Sequence, residues 1–317
     1  MEFLRPRNLS DALAVKAENP AAVPIAGGTD VMVELNFARR RPPALLDLSD
    51  VAGLKGWSEV GDRLRVGAGV TYAELTGERS NGGGPPGSGG PLGRRLPGLA
   101  IAARTVGSPQ IRNRGTIGGN LGSASPAGDC HPSLLAARAE VEVSSARGTR
   151  VIGIDDFFTG VKRNALAPDE LVTAVWIGRP SGPEQFAKIG TRNAMVIAVA
   201  AFALALRPDR GEVGTGIGSA APTPVRAAEA EAFLAGALNE AGLWESRGPL
   251  PDSVVAEFGV LVSAAARPID DVRGTAAYRR HSLGVLAKRT LGWAWQEYRA
   301  GGAGAGAAAG RGSGGMG

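Results

Sequence analysis

The chain has 317 residues, 44% of them hydrophobic, a formal net charge of +5 and a pI near 9.8. That length and apolar content allow a buried core and two domains of ordinary size, while the longest apolar run, residues 195–206, is Ala-rich and too short to span a membrane. The basic residues are spread among nearly as many acids, 35 Lys and Arg against 30 Asp and Glu, without interleaved aromatics. This excludes a nucleic-acid groove in favour of a solvated surface that still attracts phosphate-bearing ligands.

The opening residues, Met1 to Pro6, lack the apolar stretch of a signal peptide, which predicts a cytoplasmic protein. Ser10 is positioned as the N-cap of a short helix with Leu13 and Ala17 on one face. A strand over residues 22–26 runs straight into Gly27-Gly28-Thr29, and Asp30 to Phe37 reads as a helix. Strand, glycine turn and helix start leave free N–H groups in the first helical turn, where a phosphate binds well. Arg63 to Ala68 alternates as a half-buried strand, and Thr71 with Glu74 makes a capping box for the next helix. Residues 81–91, almost entirely Gly, Pro and Ser, read as a flexible insertion.

A helix resumes over Pro97 to Arg104. From Thr105 to Asp129 the chain is dense in Gly, Ser, Asn and Pro yet keeps Ile111, Ile117 and Leu121, so it reads as an ordered functional loop. Next come a short helix (133–139), a hairpin (140–145 with 150–154), a strand (171–177) and a domain boundary near residues 179–183. The remainder opens with strands through Gly218 and closes with helices over 225–241, 253–266 and 282–298, and the Gly/Ala-rich tail after Tyr298 is expected to be disordered.

The chemistry-bearing residues are few. No P-loop, nucleophile elbow or Rossmann fingerprint is present; the nearest pattern, Gly67-Ala68-Gly69, lacks its third glycine. Neither histidine, His131 nor His281, sits at a recognisable spacing from a second metal-ligand type, and the single cysteine, Cys130, excludes an internal disulfide and a cysteine-held cluster built from this chain alone. No catalytic side chain and no metal site are therefore expected, so a bound cofactor has to bring the chemistry. Two glycine clusters offer a place for it, Ile25-Ala26-Gly27-Gly28-Thr29-Asp30 and Thr116-Ile117-Gly118-Gly119-Asn120. Consecutive glycine N–H groups and the Thr29 and Thr116 hydroxyls suit a pyrophosphate, with the Asn120 amide as a further donor.

These clusters, together with residues 105–115 and Ser125-Pro126-Ala127-Gly128-Asp129, make the chain resemble the FAD-binding medium subunit of the molybdenum hydroxylases. Residues 188–194 and 268–280 resemble later segments of the same family. The resemblance covers nearly all of the expected ordered chain. It implies an α+β fold in which an FAD-binding domain of the PCMH/VAO type, two subdomains over residues 1–178, is followed by a smaller α+β C-terminal domain over residues 183–299 and a tail over 300–317. Carried over by position, the FAD contacts are Ile25, Ala26, Gly27, Gly28, Thr29, Asp30, Val31, Val106, Thr116, Ile117, Gly118, Gly119, Asn120, Asp129, Leu171 and Lys188. Asp129 alternatively reads as a turn residue capping the following helix. Lys188 reads as a cation that raises the flavin potential or as a solvated strand lysine, and the former predicts that Lys188→Met keeps FAD but lowers that potential.

The resemblance further implies electron transfer. A molybdenum-cofactor large subunit oxidises the substrate, a small subunit with 2Fe–2S clusters relays the electrons, and FAD on this chain delivers them to NAD+, oxygen or a quinone. The lone cysteine agrees, because the clusters then lie on another chain; the cysteine-free stretch around Gly84 excludes the variant with a cluster inserted in this subunit. A xanthine dehydrogenase is the favoured complex, partly from Gly160-Val161-Lys162-Arg163-Asn164-Ala165-Leu166, with carbon monoxide dehydrogenase or an aldehyde or aromatic hydroxylase as the alternative. A stand-alone flavin reductase and an assembly subunit without cofactor are the competing classes.

Overall fold

A computed structural model describes residues 1–39, 41–77 and 90–309. The first lobe is built around a small parallel sheet. Strand β1 (Glu2–Leu4) leads through helix α1 (Leu9–Glu18) to β2 (Val23–Ile25), and helix α2 (Val31–Asn36) connects β2 to β3 (Ala44–Asp47), giving the order β1-β3-β2. The cap of α1 is Asn8, whose side chain accepts the Asp11 N–H at 2.8 Å; Ser10, expected as the cap, lies inside the helix. Asn8 supplies the same acceptor chemistry two residues earlier.

The second lobe holds a five-stranded antiparallel sheet. Its strands are β4 (Trp57–Val60), β5 (Arg63–Gly67), β6 (Glu140–Ser145), β7 (Gly148–Gly153) and, after the intervening elements, β10 (Leu171–Gly178), in the order β4-β5-β10-β6-β7. Between β5 and β6 run α3 (Tyr72–Thr76), α4 (Pro91–Arg95), α5 (Pro97–Arg104), α6 (Pro109–Arg114), α7 (Ile117–Ser123) and α8 (His131–Ala136). Thr71 and Glu74 form the expected capping box on α3. The insertion expected at 81–91 lies outside the described residues as far as residue 89, while Gly90 and Pro91 open α4. Between β7 and β10 come a four-residue helix α9 (Ile154–Phe157) and a short pair, β8 (Phe158–Gly160) with β9 (Arg163–Asn164).

The stretch expected as one ordered loop, residues 105–129, contains α6 and α7. Ser108 and Thr116 cap them, accepting the Ile111 and Gly119 N–H groups at 3.4 and 3.0 Å. Local capping and tertiary contact override the poor helix propensity of so glycine-rich a segment.

The C-terminal part has a three-stranded antiparallel sheet of β11 (Glu184–Ile189), β12 (Ala200–Arg207) and β13 (Glu212–Gly218), covered on one face by α10 (Ala228–Glu240), α12 (Asp252–Ala265) and α13 (Ala276–Ala309), with α11 (Leu243–Ser246) between α10 and α12. Helix α13 continues past Tyr298, where the sequence alone suggested that order ends; residues 310–317 lie outside the described residues.

Strand β12 is buried on both faces and divides the core. Ala201, Ala203 and Ala205 face the N-terminal core, whereas Ala200, Phe202, Leu204 and Leu206 pack into the helical one. On β13, Gly214 and Gly216 press against the backbone of α8, where a Cβ would overlap the Ala136 and Pro132 carbonyls. The absence of side chains on that face lets the sheet lie directly on α8.

Candidate cofactor-binding site

The first glycine turn is held from below. The Ile25 carbonyl accepts the Leu48 N–H at 2.8 Å, and Ser49 Oγ donates to the Ala26 carbonyl at 3.0 Å. Gly27 has no room for a side chain, because a Cβ would overlap the Arg114 carbonyl, and Gly28 has φ +77°, a left-handed conformation that favours glycine. Val31 opens α2, whose cap position, Asp30, is exposed and makes no side-chain cap bond. The Gly27, Gly28 and Thr29 N–H groups donate to no described residue. Three successive donors at a helix start are left without a partner among the described residues, which is the donor set an anionic phosphate recruits.

The second cluster is built differently. Ile117 N–H bonds to the Val70 carbonyl at 3.0 Å, Gly118 N–H to Ala68 at 2.8 Å, and Gly119 N–H to Thr116 Oγ1 at 3.0 Å. Asn120 N–H closes the first turn on the Thr116 carbonyl at 3.0 Å. These donors are committed internally, so the expectation that both clusters present bare N–H groups describes only the first. Gly118 is needed for packing, since a Cβ there would stand 2.6 Å from Ala68 Cβ. Gly119 and Gly122 are exposed. The Asn120 Oδ1 atom is buried without a hydrogen-bond partner.

Arg114 and Gly115 bring the two clusters together. Tyr72 N–H donates to the Gly115 carbonyl at 3.1 Å, and Thr71 and Thr116 form an isolated β-bridge. A cleft of about 290 Å³ opens beside Gly27 and Thr116. Lys55 and Arg114 line it, neither with an ion pair to a described residue. Sequence reading did not single out these cations, because no spacing links residue 55 to residue 114.

Asp129 and Lys188 meet in a buried ion pair across the two domains. Lys188 Nζ donates to Asp129 Oδ2 at 2.7 Å, to the Thr105 carbonyl at 2.8 Å and to the Val196 carbonyl at 3.2 Å, with the two side chains 9% and 10% exposed. All three ammonium protons are thereby used, and the site holds a neutral pair where a lone cation was one of the sequence-based readings. Burial pushes the Asp129 carboxyl up to about 6 in spite of Lys188, and its Oδ1 atom has no partner. Next to it the Cys130 thiol is fully buried, and burial holds it well above its ordinary range. The Tyr72 hydroxyl is buried too, and its acidity is depressed by that burial and then by the neighbouring Cys130, Asp129 and Asp30. Val106 is half-buried, its carbonyl bonded to Arg112, and the Leu171 side chain lies in the core at the start of β10.

Comparison with known proteins adds a second line of evidence. Residues 1–180 match the family model for the FAD binding domain in molybdopterin dehydrogenase, and residues 185–294 match the CO dehydrogenase flavoprotein C-terminal domain. The chain belongs to the FAD-binding medium subunits of the molybdenum hydroxylases. It is 31% identical over 299 residues to the nicotine 6-hydroxylase medium subunit of Paenarthrobacter nicotinovorans, covering 92% of this chain and 96% of the relative. The xanthine dehydrogenase FAD-binding subunit of Escherichia coli O157:H7 is 29% identical over 91% of this chain and 94% of its own length. The solved structure of reconstituted CO dehydrogenase from Oligotropha carboxidovorans superposes with a TM-score of 0.82 at 28% identity, covering 94% of this chain and 98% of that one.

The cofactor of this medium subunit is FAD. The residues present fit it: free Gly27, Gly28 and Thr29 donors suit the diphosphate, and the unpartnered buried oxygens of Asn120 and Asp129 are acceptors awaiting a donor. Among the described residues no group of His, Cys, Asp or Glu could hold a metal ion, and no helix is long and apolar enough to cross a membrane.

Proposed function

We propose that this subunit is the electron exit of a molybdenum hydroxylase acting on an aromatic nitrogen heterocycle, with xanthine as the substrate. In that complex the chain receives electrons from 2Fe–2S clusters of a small partner subunit, while a molybdenum-cofactor large subunit selects and oxidises the substrate. NAD+ is the proposed acceptor, with oxygen or a quinone as the other chemical options. When bound, FAD supplies the conversion between single-electron uptake and two-electron release.

This chain's own residues bind and orient. Gly27, Gly28 and Thr29 direct their N–H groups at the diphosphate, and Ala26, Asp30, Val31, Thr116, Ile117, Gly119 and Asn120 complete the two turns around it. Asp129 and Lys188, locked to each other, fix the FAD-binding domain against β11 beside the cofactor. The observation that carries the reading is the row of N–H groups at the first turn that bond no described residue, on a chain whose residues 1–180 and 185–294 match the two family models. Support for a heterocyclic substrate comes from relatives that act on nicotine and on xanthine. The similarity to CO dehydrogenase favours carbon monoxide as the second reading.

The test is anaerobic bleaching of the flavin absorbance in the purified complex. Xanthine is expected to bleach it and NADH to reduce it in reverse. Bleaching by carbon monoxide and not by xanthine selects the second reading, and a purified complex without flavin absorbance overturns both.

A further inference from the structure

Helix α7 is a poor helix by composition. Residues Ile117–Ser123 spell Ile-Gly-Gly-Asn-Leu-Gly-Ser, and each interior glycine costs about 1 kcal/mol relative to alanine. Gly118 repays part of that by its contact with Ala68. Gly119 and Gly122 have no comparable partner: a Cβ on Gly119 would meet only Thr116 Oγ1, at 3.0 Å, and one on Gly122 would meet nothing within 4 Å. A seven-residue helix with two such positions is held by restraints from outside itself.

Two side chains from separate segments supply them. His131, fully buried at the start of α8, places Nε2 3.2 Å from the Asn120 carbonyl oxygen. A carbonyl only accepts, so Nε2 carries the proton and donates. The ring packs against Phe158, tilted at 46° with centroids 4.6 Å apart, and it fills the space that a Cβ on Gly128 would need. Asn164, on β9, donates Nδ2 to the Gly122 carbonyl at 3.1 Å. That carbonyl belongs to the last turn of α7, where backbone acceptors lack partners within the helix.

Resting on the functional reading above, we propose that His131 and Asn164 are positioning residues that hold α7, through the Asn120 and Gly122 carbonyls, with its bare Gly119 and Gly122 face toward the FAD. Neither residue belongs to the set of FAD contacts carried over from the family resemblance. Both act on the cofactor through the backbone of α7, which they order before binding, so that the ordering is not subtracted from affinity.

The experiment uses the full chain, stripped of FAD and titrated with it, reading flavin fluorescence for affinity and amide exchange at Ala124 in the FAD-free state. The Ala124 N–H bonds to the Asn120 and Leu121 carbonyls, so it reports on the last turn of α7. Asn164→Ala and His131→Leu are each expected to weaken FAD binding about fivefold to tenfold, the loss of one hydrogen bond, and to accelerate exchange at Ala124. His131→Gln, whose amide nitrogen reaches the Nε2 position, is expected to recover affinity to within about twofold. Wild-type affinity and exchange in Asn164→Ala overturn the role of Asn164, and a His131→Gln variant as weak as His131→Leu overturns that of His131. If His131→Leu does not fold, His131→Gln against wild type decides: a loss larger than about threefold overturns the donor role. Failure of the wild-type chain itself to take up FAD would instead sink the functional reading, and this one with it.

Discussion

The Lys188–Asp129 pair shows how a residue's neighbours decide what its charge does. Read along the sequence, Lys188 is a cation at a flavin-contacting position; in the fold it is a buried donor whose three protons all go to Asp129, Thr105 and Val196. A neutral pair perturbs a nearby redox potential far less than an isolated ammonium, so stability is the first property that substitution changes. Lys188→Met leaves a buried carboxylate unpaired, and we expect a loss of about 3 kcal/mol at pH 8. The loss should shrink near pH 5, where the carboxyl is protonated. Urea unfolding of the variant at the two pH values measures it, and equal losses at both would contradict the account. The pH dependence of the wild type follows from the same group. Burial raises the Asp129 carboxyl in the folded state above its unfolded value, to about 6. Its contribution is therefore fully present below about pH 4 and is lost as pH rises through 6. Asp129→Asn should remove this falling component, so that the variant gains stability relative to wild type as pH rises over that window, and an unchanged slope would show that other groups set it. His131 acts in the opposite sense over the same window. Burial lowers its imidazole from the ordinary range to about 4, so its contribution is present at higher pH and is lost as pH falls through about 4, and the wild-type profile carries both groups.

At the scale of elements, the two glycine clusters that look alike in sequence perform different tasks. The first leaves three donors free after β2, with Gly28 in a left-handed conformation. The second turns its donors inward to Val70, Ala68 and Thr116 and becomes a helix. Thr116 is the residue on which that helix starts. Thr116→Ala removes the hydroxyl that accepts the Gly119 N–H, and we expect about 1 kcal/mol of destabilisation, seen as a lower thermal midpoint of the FAD-free chain. Thr116→Ser keeps the acceptor and should remain within a few tenths of a kcal/mol. If both variants melt alike, the cap is not what holds α7.

For the whole molecule, the decisive feature is the face of β13 that carries Gly214 and Gly216 directly on α8. A sheet can lie on a helix backbone only where side chains are absent, and this contact sets the distance between the C-terminal sheet and the N-terminal core. Gly216→Ala would drive a methyl into the Pro132 carbonyl. We expect about 1–3 kcal/mol of destabilisation from the overpacking, together with weaker FAD binding, because β11 carries Lys188 to the site across the same seam. Chemical denaturation and FAD titration of the same variant read the two effects; lost stability with unchanged affinity would uncouple the seam from the site.

Much of the molecule is decided locally and is legible along the chain. The strand–turn–helix around Gly27, the capping box at Thr71 and Glu74, the helix over Pro97–Arg104 and the C-terminal helices all follow from spacing, caps and glycine conformation, which depend on near neighbours in sequence. The family motifs are legible for the same reason. What only the tertiary structure decided depends on groups far apart in the chain: which glycines leave their N–H groups unbonded and which pack against Ala68, Arg114 or α8, whether Lys188 stands free or paired, and that His131 and Asn164 each hydrogen-bond a carbonyl of the same helix. A residue type fixes which hydrogen bonds and contacts are possible, and only burial and proximity in the folded chain determine which of them form.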